Sequence, residues 1–102
     1  MFVSEDLSVN DKHHLVIGKN DTVDLAKKYG TPLYVLDEDL IRKNCRVNKE
    51  AMDKYYGGNG LVLYANKAFC SLYTCRIVAE EGLGADVVSG GELYTAIKAG
   101  FP

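Results

Sequence analysis

Apolar positions follow two rhythms along this chain. Short runs at Leu15-Val16-Ile17, residues 32–36 (PLYVL), residues 61–65 (LVLYA) and residues 85–88 (ADVV) are dense in β-branched or aromatic residues and bounded by turn formers. Such runs predict strands. Between and after them, apolar residues recur every three or four positions. Ile41, Cys45, Met52 and Tyr55, with Leu40 and Ala51 beside them, stripe a helix running from an Asp37 cap to about Tyr55. Leu72, Cys75, Val78 and Ala79 do the same from Ser71 to about Glu81, where Gly82 closes the helix. Asp21 is placed to cap a further helix from Thr22 to Tyr29, with Lys27 and Lys28 near its end, Gly30 as a left-handed stop and Pro32 beyond. Ser89-Gly90-Gly91-Glu92 has the spacing of a capping box for a last helix, which reaches Ala99 and stops at Gly100. Residues 1–14 are polar and irregular, which predicts a loose or partner-dependent start.

From Pro32 onward the order is strand, helix, strand, helix, strand, helix, with short connections. That alternation predicts βαβ units, and the near-continuous apolar run at 61–65 suits a parallel strand covered on both faces. A complete eight-stranded α/β barrel needs ~250 residues, so 102 residues are expected to hold only the opening units of a TIM-type (β/α)8 barrel. Gly100-Phe101-Pro102 reads as the lead into another strand. Gly57-Gly58-Asn59-Gly60 is a flexible break whose glycines are too irregularly spaced for a phosphate loop. Glu38 with Arg42 and Asp39 with Lys43 are acid-before-base pairs four apart, sufficient as support for the exposed face of their helix.

Charge narrows the partners. Twelve basic against fourteen acidic residues leave a net charge of -2, no footprint for nucleic acid or an anionic membrane surface. A small molecule or another protein chain is the expected partner. Residues 1–10 carry Glu5 and Asp6 and lack the basic-then-apolar order of a signal peptide. No stretch approaches the ~18 apolar residues of a membrane span. Cys45, Cys70 and Cys75 form no C-x-x-C pair and no zinc pattern with His13 and His14, so no metal site is expected. An odd cysteine count without a signal peptide suggests reduced thiols in the cytoplasm.

The candidate chemistry lies at the end of the 61–65 run. Alternation puts Leu61, Leu63, Ala65 and Lys67 on one face and Val62, Tyr64, Asn66 and Ala68 on the other. An ammonium at the rim of an apolar layer must be paired, neutralised or exposed. A lysine at the carboxyl end of a parallel strand is well placed for imine chemistry, and Ala65 leaves room for a flat ligand. The pattern equally suits a lysine that snorkels to water or pairs with a carboxylate. Asp86, near the end of the next strand, is a possible partner, since neighbouring strands run ~5 Å apart; it also suits an ordinary turn aspartate.

Three segments carry a family resemblance. Tyr29-Gly30-Thr31-Pro32-Leu33-Tyr34-Val35, Tyr64-Ala65-Asn66-Lys67-Ala68, and Gly84-Ala85-Asp86-Val87-Val88-Ser89-Gly90-Gly91-Glu92-Leu93 with Ala99-Gly100-Phe101-Pro102 together resemble the diaminopimelate decarboxylases, a family of fold-type III pyridoxal-phosphate enzymes. The likeness covers nearly three-quarters of the chain. It implies that Lys67 holds pyridoxal 5'-phosphate as an imine and that Asp86 lies close to the cofactor. It implies decarboxylation of meso-2,6-diaminopimelate to L-lysine in the cytoplasm, by a homodimer. It also implies a division: residues 1–28 lead toward a carboxyl-terminal β domain, and residues 29–102 begin the cofactor-binding barrel. The family's ring-stacking histidine, glycine-rich phosphate loop, ring-nitrogen acid and substrate arginines have no counterpart here. The 102-residue chain alone is therefore expected to be inactive and to bind the cofactor poorly, with exposed sheet edges and an incomplete core. Other fold-type III proteins (ornithine- or arginine-type decarboxylases, racemases, non-catalytic cofactor carriers) and a non-enzymatic α/β interaction module are the alternatives.

Overall fold

The computed structural model describes residues 3–102, and the described part of the amino-terminal segment is ordered by side-chain chemistry at Asn10. Its Oδ1 accepts the backbone N–H groups of Lys12 and His14, each at 3.0 Å, an Asx-type reversal. The reversal joins Leu7–Val9 (β1) to Leu15–Ile17 (β2) as an antiparallel pair, with Leu7 opposite Ile17 and Val9 opposite Leu15. Asn20–Asp21 (β3) adds a third strand against Val16 and Ile17. Of the start expected to be loose, then, residues 7–9 form a strand. Residues 1 and 2, part of the same expectation, lie outside the described residues. Gly18, at φ +61° between β2 and β3, sits where a Cβ would press on the Asp37 carboxylate.

Asp21 turns sheet into helix. Its Oδ1 accepts the N–H groups of Val23 at 2.8 Å and Asp24 at 3.4 Å, capping Thr22–Tyr29 (α1) as the sequence predicts. Its Oδ2 accepts Asn10 Nδ2 at 2.7 Å and lies 2.8 Å from His14 Nδ1. Burial pushes the Asp21 carboxyl up, but the hydrogen bonds from His14, Asn10, Val23 and Asp24 outweigh it and bring its pKa from 3.8 to about 2. A depressed carboxylate stabilises the fold above its unfolded value, and that contribution is lost as pH falls from 3.8 toward about 2. Acid titration of helix content is expected to show this loss in the native chain. Asp21→Asn should flatten the profile in that window; an unchanged profile would assign the acid sensitivity elsewhere.

Gly30, at φ +81°, ends α1, its N–H donating to Ala26 O at 2.8 Å. Residues 32–36, expected as a strand, form no ladder: Pro32 lies in a bend and residues 33–36 carry no regular structure. A strand requires a neighbour to share its backbone hydrogen bonds, and among the described residues none runs beside this one. Leu33, Val35 and Leu36 are exposed, and Tyr34 is 90% exposed.

The chain forms two units, the second beginning at Ile41. Glu38–Tyr56 (α2) starts on the Asp37 cap, whose Oδ1 accepts Leu40 N–H at 3.1 Å. Of its apolar stripe only Cys45 is buried. Arg42 and Arg46 reach well beyond their own helix. Arg42 bonds Glu80 at 2.7 Å and Glu81 at 3.0 Å, and Arg46 Nε bonds Glu81 at 2.8 Å. Hydrogen bonds from Arg46 and Arg42 hold the Glu81 carboxyl below its usual range.

The rest of this unit is a right-sized βαβ crossover followed by a helix. Leu63–Ala65 (β4) pairs in parallel with Gly84–Asp86 (β5), matching Leu63 to Gly84, Tyr64 to Ala85 and Ala65 to Asp86. Leu72–Glu80 (α3) connects them and packs on Gly90–Ala99 (α4). The core is small: Cys45, Cys75, Ile77, Val78, Ala96 and Ala99 are its buried apolar residues. Gly84 lies close under the Leu63 and Leu61 side chains, and a Cβ there would force the end of Leu63 to shift. Ser71 caps α3, accepting Thr74 N–H at 3.1 Å. Ser89 caps α4, accepting Glu92 N–H at 3.2 Å, while the Glu92 carboxylate returns to Val88 N–H at 2.6 Å, one residue upstream of the standard capping box. Gly100, left-handed at φ +116°, closes α4 as predicted. The result is a mixed α/β architecture.

Candidate functional site

Strand geometry ends at Ala65. Asn66–Ala68 then makes a single 3-10 turn before Phe69 returns to extended backbone at φ −162°. The alternation expected to carry Lys67 onto the face of Leu63 and Ala65 therefore stops two residues short. The turn, rather than the pleat, directs Lys67. Its side chain is exposed, and among the described residues its ammonium makes no hydrogen bond or ion pair.

Asp86 is the last residue of β5, and its Cα partner is Ala65. It too is exposed. Lys67 and Asp86 thus both stand at the carboxyl ends of adjacent parallel strands, where α/β proteins place their ligands. An unpaired primary amine at such an edge can condense with a carbonyl compound once it is neutral. A carboxylate on the neighbouring strand supplies negative charge to the same edge. Ala65 and Ala68 keep the backbone around the amine uncrowded.

Two further side chains hold this turn from behind. Tyr64 Oη donates to the Phe69 carbonyl at 3.1 Å. Burial raises the Tyr64 phenol pKa, so the hydroxyl keeps its proton for that bond. Asn66 is fully buried, and its Oδ1 accepts the Cys75 thiol at 3.4 Å. Sequence reasoning placed Asn66 on the face of Tyr64 but assigned it nothing. A polar residue inside an otherwise apolar run was the available signal.

A cavity of about 380 Å³ also opens beside α2 and β4, lined by Ile41, Cys45, Leu63, Tyr64, Ala65 and Val78 among others. Neither Lys67 nor Asp86 lines it. Among the described residues no group of three or more histidine, cysteine or acidic side chains could hold a metal ion. Among the described residues no helix is long and apolar enough to cross a membrane. Cys45, Cys70 and Cys75 are free thiols.

Residues 38–102 match the family model described as pyridoxal-dependent decarboxylase, pyridoxal binding domain. The diaminopimelate decarboxylase of Bacillus methanolicus is 52% identical over 102 residues, covering all of this chain and 23% of its own length. That of Methanothermobacter thermautotrophicus is 53% identical over 96 residues, covering 94% of this chain and 22% of its own. Among solved structures, the diaminopimelate decarboxylase from M. jannaschii in complex with L-lysine superposes with a TM-score of 0.86 at 38% identity, over 97% of this chain and 23% of that one. The chain therefore spans under a quarter of the length of these relatives.

Proposed function

The chain belongs to the pyridoxal-dependent decarboxylases, in their pyridoxal binding domain, and from that premise we propose that it supplies the cofactor lysine, Lys67, of a diaminopimelate decarboxylase. The observation that carries the reading is the unpaired Lys67 amine just past the carboxyl end of β4, beside a strand that ends in Asp86. These residues fit pyridoxal phosphate. The cofactor's aldehyde needs a primary amine free of competing partners, and Asp86 at the end of the neighbouring strand would lie close to the cofactor.

In this reading the whole enzyme converts meso-2,6-diaminopimelate to L-lysine and carbon dioxide. Pyridoxal phosphate, when bound, supplies an electron sink for the pair released as the carboxylate leaves. Lys67 contributes the amine that holds the cofactor, and it must shed its proton to do so. Asp86 contributes fixed negative charge at the rim of the neighbouring strand. Ala65, the rung partner of Asp86 and two residues before Lys67, adds no bulk to this edge. The M. jannaschii relative was solved with L-lysine, which supports a small amino-acid substrate.

The β4–α3–β5 crossover supports residues 29–102 as the opening units of a (β/α)8 barrel, with residues 32–36 as a barrel strand that acquires its neighbours there. The antiparallel meander β1–β3 supports residues 1–28 as a lead toward a β domain, since its outer strand has an edge able to extend a sheet. A homodimeric, cytoplasmic enzyme that uses neither nucleic acid nor membrane completes the proposal.

Borohydride reduction of the full-length holoenzyme, followed by peptide mapping, is expected to find the cofactor fixed on Lys67. A label on a different lysine would remove the basis of the assignment. The purified 102-residue chain, given diaminopimelate and cofactor, is expected to release no lysine, because the phosphate- and carboxylate-reading groups of a decarboxylase are not among its residues. Turnover by that chain would contradict the division of labour proposed for it.

A further inference from the structure

Asn66 is an unusual filler for the layer it occupies. It is 0% exposed, its Oδ1 has only the Cys75 thiol at 3.4 Å, and its Nδ2 has no partner among the described residues. An aliphatic side chain would fill the same space without desolvating an amide. What the amide adds is a directional link between the 3-10 turn and α3, where Cys75 is itself fully buried. Tyr64 adds the second link, through the Phe69 carbonyl. The two anchors fall on either side of Lys67, one residue before it and two after. A lone 3-10 turn has poor hydrogen-bond geometry of its own and gains its definition from such outside contacts.

We propose that Asn66 is a positioning residue: its buried amide, anchored on Cys75, fixes the turn that aims the Lys67 amine. The proposal rests on the assignment of Lys67 as the cofactor lysine. A nucleophile held on its line of attack reacts faster than one on a wandering turn, and small displacements are costly. Asn66 touches neither substrate nor cofactor in this scheme. It acts through the backbone.

The test uses the apo form of the full-length enzyme mixed with pyridoxal phosphate, with the rate of cofactor capture read from the visible band of the lysine–pyridoxal linkage and unfolding temperature measured in parallel. Asn66→Ala is expected to slow capture about tenfold while the label still ends on Lys67. Cys75→Ala should slow it similarly, and the double variant no further, as two ends of one link require. Cys75→Ser, whose hydroxyl donates the same bond, should restore capture. Capture at the native rate in Asn66→Ala overturns the proposal, even if the unfolding temperature drops, because that is the signature of packing alone. Equal slowing by Cys75→Ser and Cys75→Ala overturns it as well. Should Asn66→Ala not fold, the comparison of the two cysteine variants decides by the same criterion. Native enzyme that captures nothing on Lys67 sinks the lysine assignment itself, and this proposal with it.

Discussion

Replacing Lys67 with alanine is expected to lower kcat/KM of the full-length enzyme for meso-diaminopimelate by at least about a thousandfold, the scale on which removal of a covalent nucleophile is felt. The physical argument has two halves. In the proposed assignment the amine is the group that condenses with the cofactor aldehyde, and alanine offers nothing in its place. Yet the side chain is exposed and unpaired among the described residues, so its removal should change stability by no more than about 0.5 kcal/mol. Lys67→Arg should be as inactive as the alanine variant, because a guanidinium keeps the charge but stays protonated and cannot attack a carbonyl. Steady-state kinetics with matched thermal melts check both halves. An arginine variant within tenfold of native activity would show that charge, rather than nucleophilicity, is what the position supplies.

The largest expected loss of stability lies elsewhere, at Ile77. It is 1% exposed on α3, in a core whose other buried apolar members are mostly small: two cysteines, two alanines and a valine. Truncating a fully buried isoleucine to alanine costs about 2–5 kcal/mol, through lost transfer free energy and the cavity left behind. Few large side chains are at hand to collapse into that space, which argues for the upper half of the range. Ile77→Val should cost only about 1 kcal/mol. Denaturant unfolding of the full-length protein reads the series. Alanine and valine variants of equal stability would mean that the surroundings relax to fill the cavity.

The helices were legible because their signals are local. Asp21, Asp37, Ser89 and Gly100 each act on backbone groups within a few residues of themselves, and each does in the structure what its position along the chain implies. Residues 32–36 show the opposite case. Their composition expresses a tendency to extend, but a ladder depends on a second strand that no local pattern can supply. The β1–β2 hairpin escaped notice because three-residue strands are too short to show alternation, and Asn10 turns the chain through its side chain rather than through a glycine pair. The phrases around Lys67 and Asp86 carried the family resemblance, and residues 38–102 match the family model. The alternation expected to reach Lys67 ends at Ala65, since a period of two says nothing about where a 3-10 turn begins. Asn66 was passed over for a related reason: its significance comes from Cys75, nine residues away on a helix.

Gly84 gives this edge of the sheet a mechanical weakness. Its bare backbone lets the ladder close over the side chains of Leu63 and Leu61, and it sits two rungs from the pair formed by Ala65 and Asp86. A side chain there would have to displace the methyl ends of Leu63 and Leu61, both of them exposed, before the ladder could keep its spacing. Substitution at Gly84 is therefore felt first by the leucine tips that flank it, and by the backbone of the ladder only if those tips cannot yield.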